Sequence, residues 1–211
     1  MSDQQVISKT AAQGMGLVMD DVAEVIARAC PPPAYQGKRV LLIIPDGTRT
    51  APVGLVFKAL HARLGSVVAR LDVMVALGTH QPMSEEAICH RLEITLEERK
   101  DTYHHIQFYN HEWNNPRALR EIGSIPAETI HQLTDGLFSM EVPVEINRQV
   151  FDYDQVIIVG PVFPHEVVGF SGGNKYLFPG VGGSKILNCT SLIWLSFIRT
   201  SIAPSPSTRA R

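Results

Sequence analysis

The sequence predicts an α/β fold in which helices flank a mainly parallel β-sheet. Three nearly continuous apolar runs indicate strands buried on both faces, as strands of parallel sheets are; they are residues 39–44, 71–77 and 156–159. Segments with helical spacing lie between these runs, and the recurring order of strand, loop and helix favours right-handed crossovers. With 211 residues, 45% hydrophobic and 19% charged, the chain can build one sizeable core or two small ones.

The first elements have clear start and stop signals. Apolar residues at helical spacing predict a helix over residues 15–29, and Cys30 with the three prolines after it ends that helix. The strand over residues 39–44 follows. Residues 52–64 are predicted to be a helix with Pro52 near its first turn, where proline's missing N–H removes no hydrogen bond.

The second half of the chain is less regular. The strand over residues 71–77 leads to a helix that Ser84 can cap and that ends near residues 90–92. We next predict a short helical segment at residues 95–99 and a third strand at residues 105–109. Residues 117–135 are ambiguous and are expected to form a short helix and an irregular crossing. Residues 138–146 are predicted to be a strand with one exposed face. Pro143 places the last of these strands at a sheet edge, because proline cannot donate a ladder hydrogen bond.

Domain boundaries and location follow from composition. We expect one Rossmann-like domain over residues 16–190, after a flexible segment over 1–15 and before an atypical, truncated or disordered tail over 191–211. The net charge of −2 gives no reason to expect nucleic acid as a partner. The chain has no apolar leader and no apolar run of ~18 residues, so we expect a cytoplasmic protein with no membrane partner. Its three scattered cysteines are expected to be reduced thiols.

The glycine-rich segment over residues 164–183 follows the last predicted core strand and contains six glycines, two prolines, one histidine and one lysine. Gly172 and Gly173 would present bare backbone N–H groups beside the amine of Lys175, which suits an anionic or phosphate-bearing ligand. The segment matches neither the P-loop pattern nor GxGxxG. A glycine-rich turn that only packs against the sheet is therefore the alternative.

Polar residues follow the predicted strands, where open α/β sheets bind their ligands. If the strands are parallel neighbours, the side chains of Asp46, Arg49, His80, His165 and Lys175 meet in one crevice. Two histidines can act as acid and base on opposite faces of a substrate, arginine suits a carboxylate, and lysine can bond a cofactor covalently. Each residue also has a structural alternative: a turn or cap for the aspartate, a surface cation for the arginine, and a packing role for either histidine.

Two further histidine clusters carry groups that can bind metals. They are His104 with His105, and His111 with Glu112. Neither spacing matches a familiar ligand pattern, so we predict that all four are surface or loop residues.

Four motifs in the same order resemble the N-terminal domain of the nickel-pincer lactate racemase family. They are DGTRT (46–50), LGTH (77–80), NHEW (110–113) and PHEVVGFSGGNKYLFPG (164–180). Enzymes of this family racemise or epimerise 2-hydroxy acids. They use a nickel pincer nucleotide, a pyridinium mononucleotide that binds nickel through sulfur, carbon and sulfur and is tethered to a lysine.

The resemblance implies a role for each residue at the strand ends. His80 and His165 are similar to the family's acid/base pair, and Lys175 is similar to its tethering lysine. Arg49 would contact the hydroxy acid substrate. The remaining residues expected to contact the cofactor are Asp46, Thr48, Gly172 and Gly173.

The resemblance also implies a lactate-like 2-hydroxy acid racemase or epimerase that works by hydride transfer. Ser191 stands where the family has a nickel-binding histidine, so no metal ligand is assigned. The family's second domain is absent from the 211 residues, and we expect this truncation to impair the activity. A non-catalytic nucleotide- or phosphate-binding module and a remnant without a ligand are the alternatives.

Overall fold

The computed structural model describes residues 6–165 and 169–189, which divide into two compact units. Unit 1 contains residues 6–76, 81–110 and 149–161. Unit 2 contains residues 77–80, 111–148, 162–165 and 169–189. The predicted tail over residues 191–211 lies outside the described residues.

Helices, strands and turns alternate along both units. The helices are α1 Met19–Ala29, α2 Val53–Leu64, α3 Glu85–Arg91, α4 Leu96–Lys100 and α5 Ala127–Leu133, and residues 184–189 are also helical. The strands are β1 Arg39–Pro45, β2 Arg70–Ala76, β3 Phe108–Asn110, β4 Leu119–Ile125, β5 Val142–Asn147, β6 Gln155–Ile158, β7 Phe163–His165 and β8 Gly169–Ser171. Short 3-10 turns lie at Pro32–Ala34, Pro116–Ala118, Arg148–Asp152 and Gly173–Tyr176.

The core of unit 1 is a four-stranded parallel sheet with the strand order β3-β2-β1-β6. The side chains from Val40 to Ile44 in β1 are all fully buried, which explains the continuous apolar run in the sequence. Pro45 at the end of β1 pairs with Ala76 at the end of β2, so the chain leaves both strands at the same edge of the sheet. This parallel sheet with its helices confirms the predicted α/β fold class.

The helices of unit 1 follow from apolar spacing and capping. α2 begins directly after Pro52, and Ser84 caps α3, both as predicted. α1 begins at Met19, later than the predicted residue 15. The carboxylate of Asp21 accepts a hydrogen bond from the backbone N–H of Val18 at 3.0 Å, which fixes the start of the helix at that point.

A buried polar network links β2 to two other segments of unit 1. Asp72 is fully buried, and its carboxylate accepts hydrogen bonds from the backbone N–H of Gln107 at 2.7 Å and from the hydroxyl of Tyr153 at 2.5 Å. Arg70 forms an ion pair with the same carboxylate. Burial and the hydrogen bond to Asp72 raise the pKa of Tyr153 well above its ordinary value. The network thereby joins β2 to the segments that precede β3 and β6.

Unit 2 contains an antiparallel pair of strands, β4 and β5, which differs from the sequence prediction. We expected a short helix and an irregular crossing over residues 117–135, but β4 occupies the first part of that range and α5 the second. β4 was not recognised because most of its side chains are exposed, so it lacks the apolar alternation of a half-buried strand. Pro143 in β5 pairs with Ser124, and a two-stranded sheet makes every strand an edge strand, as the proline predicts.

Two strand boundaries also differ from prediction. β3 begins at Phe108 rather than at residue 105, because the preceding residues form a turn in which Ile106 N–H donates to the carbonyl of Tyr103 at 3.1 Å. β5 begins at Val142 rather than at residue 138, because its pairing with β4 begins only opposite Ile125.

The glycine-rich segment contains more regular structure than the sequence indicates. β7 and β8 pair as antiparallel strands, with Phe163 opposite Ser171 and His165 opposite Gly169. A 3-10 turn over Gly173–Tyr176 follows. The segment is therefore a strand pair and a turn, not a plain loop.

The sequence predicted reduced cysteine thiols and no membrane-spanning helix. Cys30, Cys89 and Cys189 are buried free thiols, as predicted, and burial raises the pKa of Cys89 and Cys189. Among residues 6–165 and 169–189, no helix has both the length and the apolar character needed to cross a bilayer.

Candidate active site

The loop after β1 is built around Asp46, which is only 7% exposed. Its Oδ1 atom accepts hydrogen bonds from the backbone N–H and the hydroxyl of Thr48, at 3.1 Å and 2.6 Å. This is the local turn that aspartate favours, so the structural role considered for Asp46 is present. The side chain of Thr48 is exposed at the carboxyl end of β1.

Arg91 of α3 fixes the backbone of the same loop. Its Nη2 donates to the carbonyl oxygen of Arg49 at 2.7 Å, and its Nε donates to that of Pro45 at 3.3 Å. The loop is thus held at both ends by one guanidinium group. The side chain of Arg49 is exposed beside this fixed backbone, where a carboxylate could reach it.

The turn after β2 carries His80. Gly78 adopts a φ of +56°, which glycine tolerates easily, and the N–H of His80 donates to the carbonyl of Leu77 at 2.9 Å. The side chain of His80 is exposed. This turn belongs to unit 2, although it directly follows a strand of unit 1.

Lys175 lies in the 3-10 turn that begins at Gly173. Gly172 and Gly173 have φ values of +82° and +55°, and the N–H of Lys175 donates to the carbonyl of Gly172 at 3.1 Å. Residues with a β-carbon rarely adopt such angles. The two glycines are therefore required by the turn itself, whatever else they contact.

Backbone hydrogen bonds join the His80 turn to the Lys175 turn within unit 2. The N–H of Gly78 donates to the carbonyl of Gly180 at 2.9 Å, and the N–H of Gly180 donates to the carbonyl of Lys175 at 2.9 Å. Two segments that are distant in the chain are thus connected through one glycine.

The predicted site residues are divided between the two units. Asp46, Thr48 and Arg49 lie in unit 1, whereas His80, His165, Lys175 and the glycines beside that lysine lie in unit 2. The backbone of His165 pairs with Gly169 at the end of β7. The expected gathering of these side chains in one crevice stays a prediction.

Sequence reasoning missed a buried histidine in unit 2. His111 was predicted to be a surface or loop residue; it does lie in a loop, but it is only 1% exposed and is therefore not at the surface. Its Nε2 lies 2.9 Å from the carbonyl oxygen of Gly182, and its Nδ1 lies 3.2 Å from the side-chain nitrogen of Asn147. Because a carbonyl can only accept and an amide nitrogen can only donate, the ring is neutral with its proton on Nε2. Its position directly after β3 was the signal that could have revealed it.

The other histidines predicted at the surface are exposed. His104 and His105 have rings 5.3 Å apart, and His105 lies 5.9 Å from the ring of His61 on α2. Burial and the nearby charge of His105 lower the pKa of His61. In the part of the chain that the structure describes, no three histidine, cysteine or acidic side chains gather as a metal site.

We predict that acid weakens the fold partly through His111. Burial lowers the pKa of this histidine, and the hydrogen bond to Gly182 offsets the shift only in part. The stability that neutral His111 contributes is fully present above the ordinary histidine pKa of ~6.5 and is lost as the pH falls through the lower folded-state value. His111→Gln should therefore reduce the loss of unfolding free energy between about pH 7.5 and about pH 5.5, measured by urea denaturation.

His61→Gln serves as the comparison, because the pKa of His61 is also lowered and that residue lies in unit 1. His61→Gln should also reduce the pH dependence, because burial lowers the pKa of that histidine too. An unchanged pH dependence in the His111 variant would contradict the prediction.

Gly180 cannot accept a side chain without movement of the backbone. A β-carbon there would lie 2.8 Å from the Cα atom of Tyr176 and would also collide with the carbonyl oxygen of that residue. Gly180→Ala is therefore expected to lower the free energy of unfolding by on the order of 2 kcal/mol, because packed backbone has to shift. Calorimetric melting measures the effect. Gly16→Ala is the control, since a β-carbon at Gly16 meets nothing within 4 Å; equal melting temperatures for the two variants would refute the clash.

Comparison with known families gives a match over most of the chain. A family model described as "Lactate racemase N-terminal domain" matches residues 23–190. Two curated relatives are lactate racemases. The protein from Lactiplantibacillus plantarum is 26% identical over 190 residues, and the protein from Thermoanaerobacterium thermosaccharolyticum is 22% identical over 208 residues. The matches cover 89% and 96% of this chain but only 38% and 42% of the relatives.

Two solved structures are also similar. A protein from Thermotoga maritima matches with a TM-score of 0.77 and 29% identity, over 86% of this chain and 42% of the other. The lactate racemase apoprotein from T. thermosaccharolyticum matches with a TM-score of 0.54 and 21% identity, over 82% of this chain and 34% of the other. The second match supports the fold alone.

Proposed function

Because this chain belongs to the lactate racemase N-terminal domain family, we propose that it carries the cofactor-binding and proton-transfer residues of a 2-hydroxy acid racemase or epimerase. The cofactor is a nickel pincer nucleotide tethered to Lys175, and the substrate is a lactate-like hydroxy acid. The observation that carries the proposal is the backbone connection between the Lys175 turn and the His80 turn. It links the residue proposed to hold the cofactor to a residue proposed to move the proton.

The residues around Lys175 fit such a group. Gly173 has open space where a β-carbon would lie, with no heavy atom within 4 Å, so a planar ring or a phosphate can approach the backbone closely. The amine of Lys175 can act as a nucleophile towards the cofactor. Nickel would be held by the cofactor's own sulfur and carbon atoms, and no side chain of this chain is assigned to it. Sulfur is a suitable donor for this metal.

Arg49 orients the substrate in this proposal. Its planar guanidinium group can bind a carboxylate through two parallel hydrogen bonds, which fixes the direction of the carbon next to it. Arg91 holds the backbone of Arg49 in place through the bond to its carbonyl oxygen. The proposal also assigns Asp46 and Thr48 of the same loop to cofactor binding.

When bound, the cofactor supplies a hydride acceptor and donor next to the carbon that bears the substrate hydroxyl. As the hydride leaves that carbon, one imidazole, of His80 or His165, accepts the hydroxyl proton, and the substrate becomes a planar 2-oxo acid. Arg49 would hold the planar 2-oxo acid by its carboxylate, so that either face of the carbonyl carbon could take up the hydride that the cofactor would supply. A protonated histidine then returns the proton to the oxygen, so electrons and protons balance over the cycle.

Mass spectrometry of the intact chain tests this proposal. The chain is co-expressed with enzymes that make the nickel pincer nucleotide, and the expected result is a mass adduct that maps to Lys175. Nucleotide that binds reversibly without an adduct would overturn the tether and favour a nucleotide-binding module. No binding of any kind would overturn the cofactor assignment altogether.

A further inference from the structure

The buried imidazole of His111 has no part in the proton transfer described above, yet both of its ring nitrogens have hydrogen-bond partners. We propose that His111 is a positioning residue that fixes the turn bearing Lys175 by holding the carbonyl of Gly182. The expected consequence is that the Lys175 amine is placed for cofactor attachment, and this consequence rests on the proposed function. Its structural part depends only on contacts within unit 2.

His111 and β5 together hold the end of the glycine-rich segment. The N–H of Asn147 donates to the carbonyl of Val181 at 2.8 Å, and the N–H of Gly183 donates to the carbonyl of Glu145 at 3.0 Å. Gly182 is bridged to Ile146 between these two bonds, in the antiparallel pairing where a residue's own carbonyl points away from the partner strand. That carbonyl accepts from His111, so the histidine supplies a partner that the backbone of β5 cannot supply.

Short-range hydrogen bonds carry this constraint back to the lysine. The N–H of Gly182 donates to the carbonyl of Pro179 at 3.0 Å, and the N–H of Gly180 donates to the carbonyl of Lys175 at 2.9 Å. Gly180 also leaves no room for a β-carbon, so this part of the turn is tightly packed. A displacement of Gly182 cannot be absorbed locally and has to move the backbone around Lys175.

The His80 turn depends on the same anchor. The carbonyl of Gly180 accepts from the N–H of Gly78, two residues before His80. Loss of the bond between His111 and Gly182 should therefore disturb both turns together. The effect would be indirect, because the ring nitrogens of His111 bond Gly182 and Asn147 and not His80 or Lys175.

The chemistry of the imidazole explains why an apolar residue would not serve. Burying a carbonyl or an amide without a partner is costly, and His111 offers a donor to Gly182 and an acceptor to Asn147 at once. Glutamine has one donor group and one acceptor atom on a side chain of similar reach, so it can restore both bonds. Leucine fills similar space and restores neither.

Hydrogen exchange on the whole 211-residue chain tests the positioning role without any cofactor. His111→Leu is expected to speed exchange of the amides of Gly78, Lys175, Gly180 and Gly182 by about tenfold or more, because the anchor of the two turns is lost. His111→Gln should restore slow exchange. The control is Ile130→Ala, which opens a cavity in the cluster that Ile130 forms with Val142 and Cys189 of the same unit.

The pattern of exchange rates distinguishes a positioning role of His111 from a general contribution to the stability of unit 2. Selective acceleration at the two turns in His111→Leu, absent from Ile130→Ala, supports the role. Uniform acceleration throughout unit 2 in both variants, or no change at the two turns, would overturn it. If the leucine variant does not fold, His111→Phe replaces it, since this change keeps a buried ring and removes both of the nitrogens that bond Gly182 and Asn147; the same amides should then exchange faster, and unchanged exchange refutes the role.

Adduct formation gives the second readout and separates the two proposals. With the cofactor-making enzymes present, His111→Leu should form the Lys175 adduct about tenfold more slowly than the wild type, and His111→Gln at nearly the wild-type rate. An absent adduct in the wild type refutes the proposed function, while the exchange data still decide the role of His111. An adduct that forms equally fast in the wild type and in His111→Leu would show that His111 does not place the Lys175 amine for cofactor attachment.

Discussion

Lys175→Ala should abolish covalent attachment of the nickel pincer nucleotide completely. No other group can replace an amine at this position, because the tether is a bond to its nitrogen and the 3-10 turn fixes where the side chain starts. Lys175→Arg should also give no adduct, since a guanidinium group keeps its proton and is a poor nucleophile. Intact-mass spectrometry after co-expression with the cofactor-making enzymes measures the effect.

Lys185→Ala is the matched control. Lys185 lies ten positions further along the same unit, is 58% exposed at its side chain and forms an ion pair with Glu145 at 3.3 Å. Its loss should leave the adduct unchanged, so a general loss of surface amines is distinguished from loss of the tether. An adduct that persists in Lys175→Ala and maps to another residue would show that the tether is assigned wrongly.

Asp72→Ala should produce the largest loss of stability in unit 1. The substitution leaves the backbone N–H of Gln107 and the hydroxyl of Tyr153 without their shared acceptor, and both bonds lie at a fully buried carboxylate. Both hydrogen bonds are partly buried, and a buried donor that loses its partner costs ~1–3 kcal/mol, so we expect the free energy of unfolding to fall by on the order of 2 kcal/mol. Urea denaturation followed by far-UV circular dichroism measures this change.

Asp154→Ala provides the comparison for that experiment. Asp154 pairs with Arg39 at 2.9 Å, but both side chains are largely exposed, at 42% and 49%. Arg39 lowers the pKa of Asp154 to about 2. An exposed pair contributes little to stability, so Asp154→Ala should change the urea midpoint far less than Asp72→Ala. Comparable shifts in the two variants would mean that burial does not determine the contribution of Asp72.

The sheet of unit 1 could be predicted because its strands carry their own signal. The run from Val40 to Ile44 is apolar at every position, as a strand buried on both faces requires. Capping at Ser84 was equally local, since one hydroxyl and the next turn of backbone determine it. β4 had no such signal, because its residues are mostly exposed and its pairing with β5 involves residues about twenty positions away.

The family match covers the stretch of chain that carries the candidate site residues, and their roles stay a prediction. The position of His111 directly after β3 was a signal for burial, but the residues around it do not identify its partners. Asn147 and Gly182 lie far from it in the chain, and nothing in NHEW indicates that they meet the imidazole. The same holds for the bond between Gly78 and Gly180, which joins two motifs that are about a hundred residues apart.

The sequence by itself therefore determined the α/β class, the strands with continuous apolar runs and the set of polar residues that follow them, because each depends on neighbours within one or two turns of the chain. Only the tertiary structure decided that a histidine expected at the surface or in a loop is buried with both ring nitrogens bonded, and that the Lys175 and His80 turns are joined through one glycine. These contacts arise when distant segments bury polar groups together, and hydrogen bonding of buried groups then selects their partners.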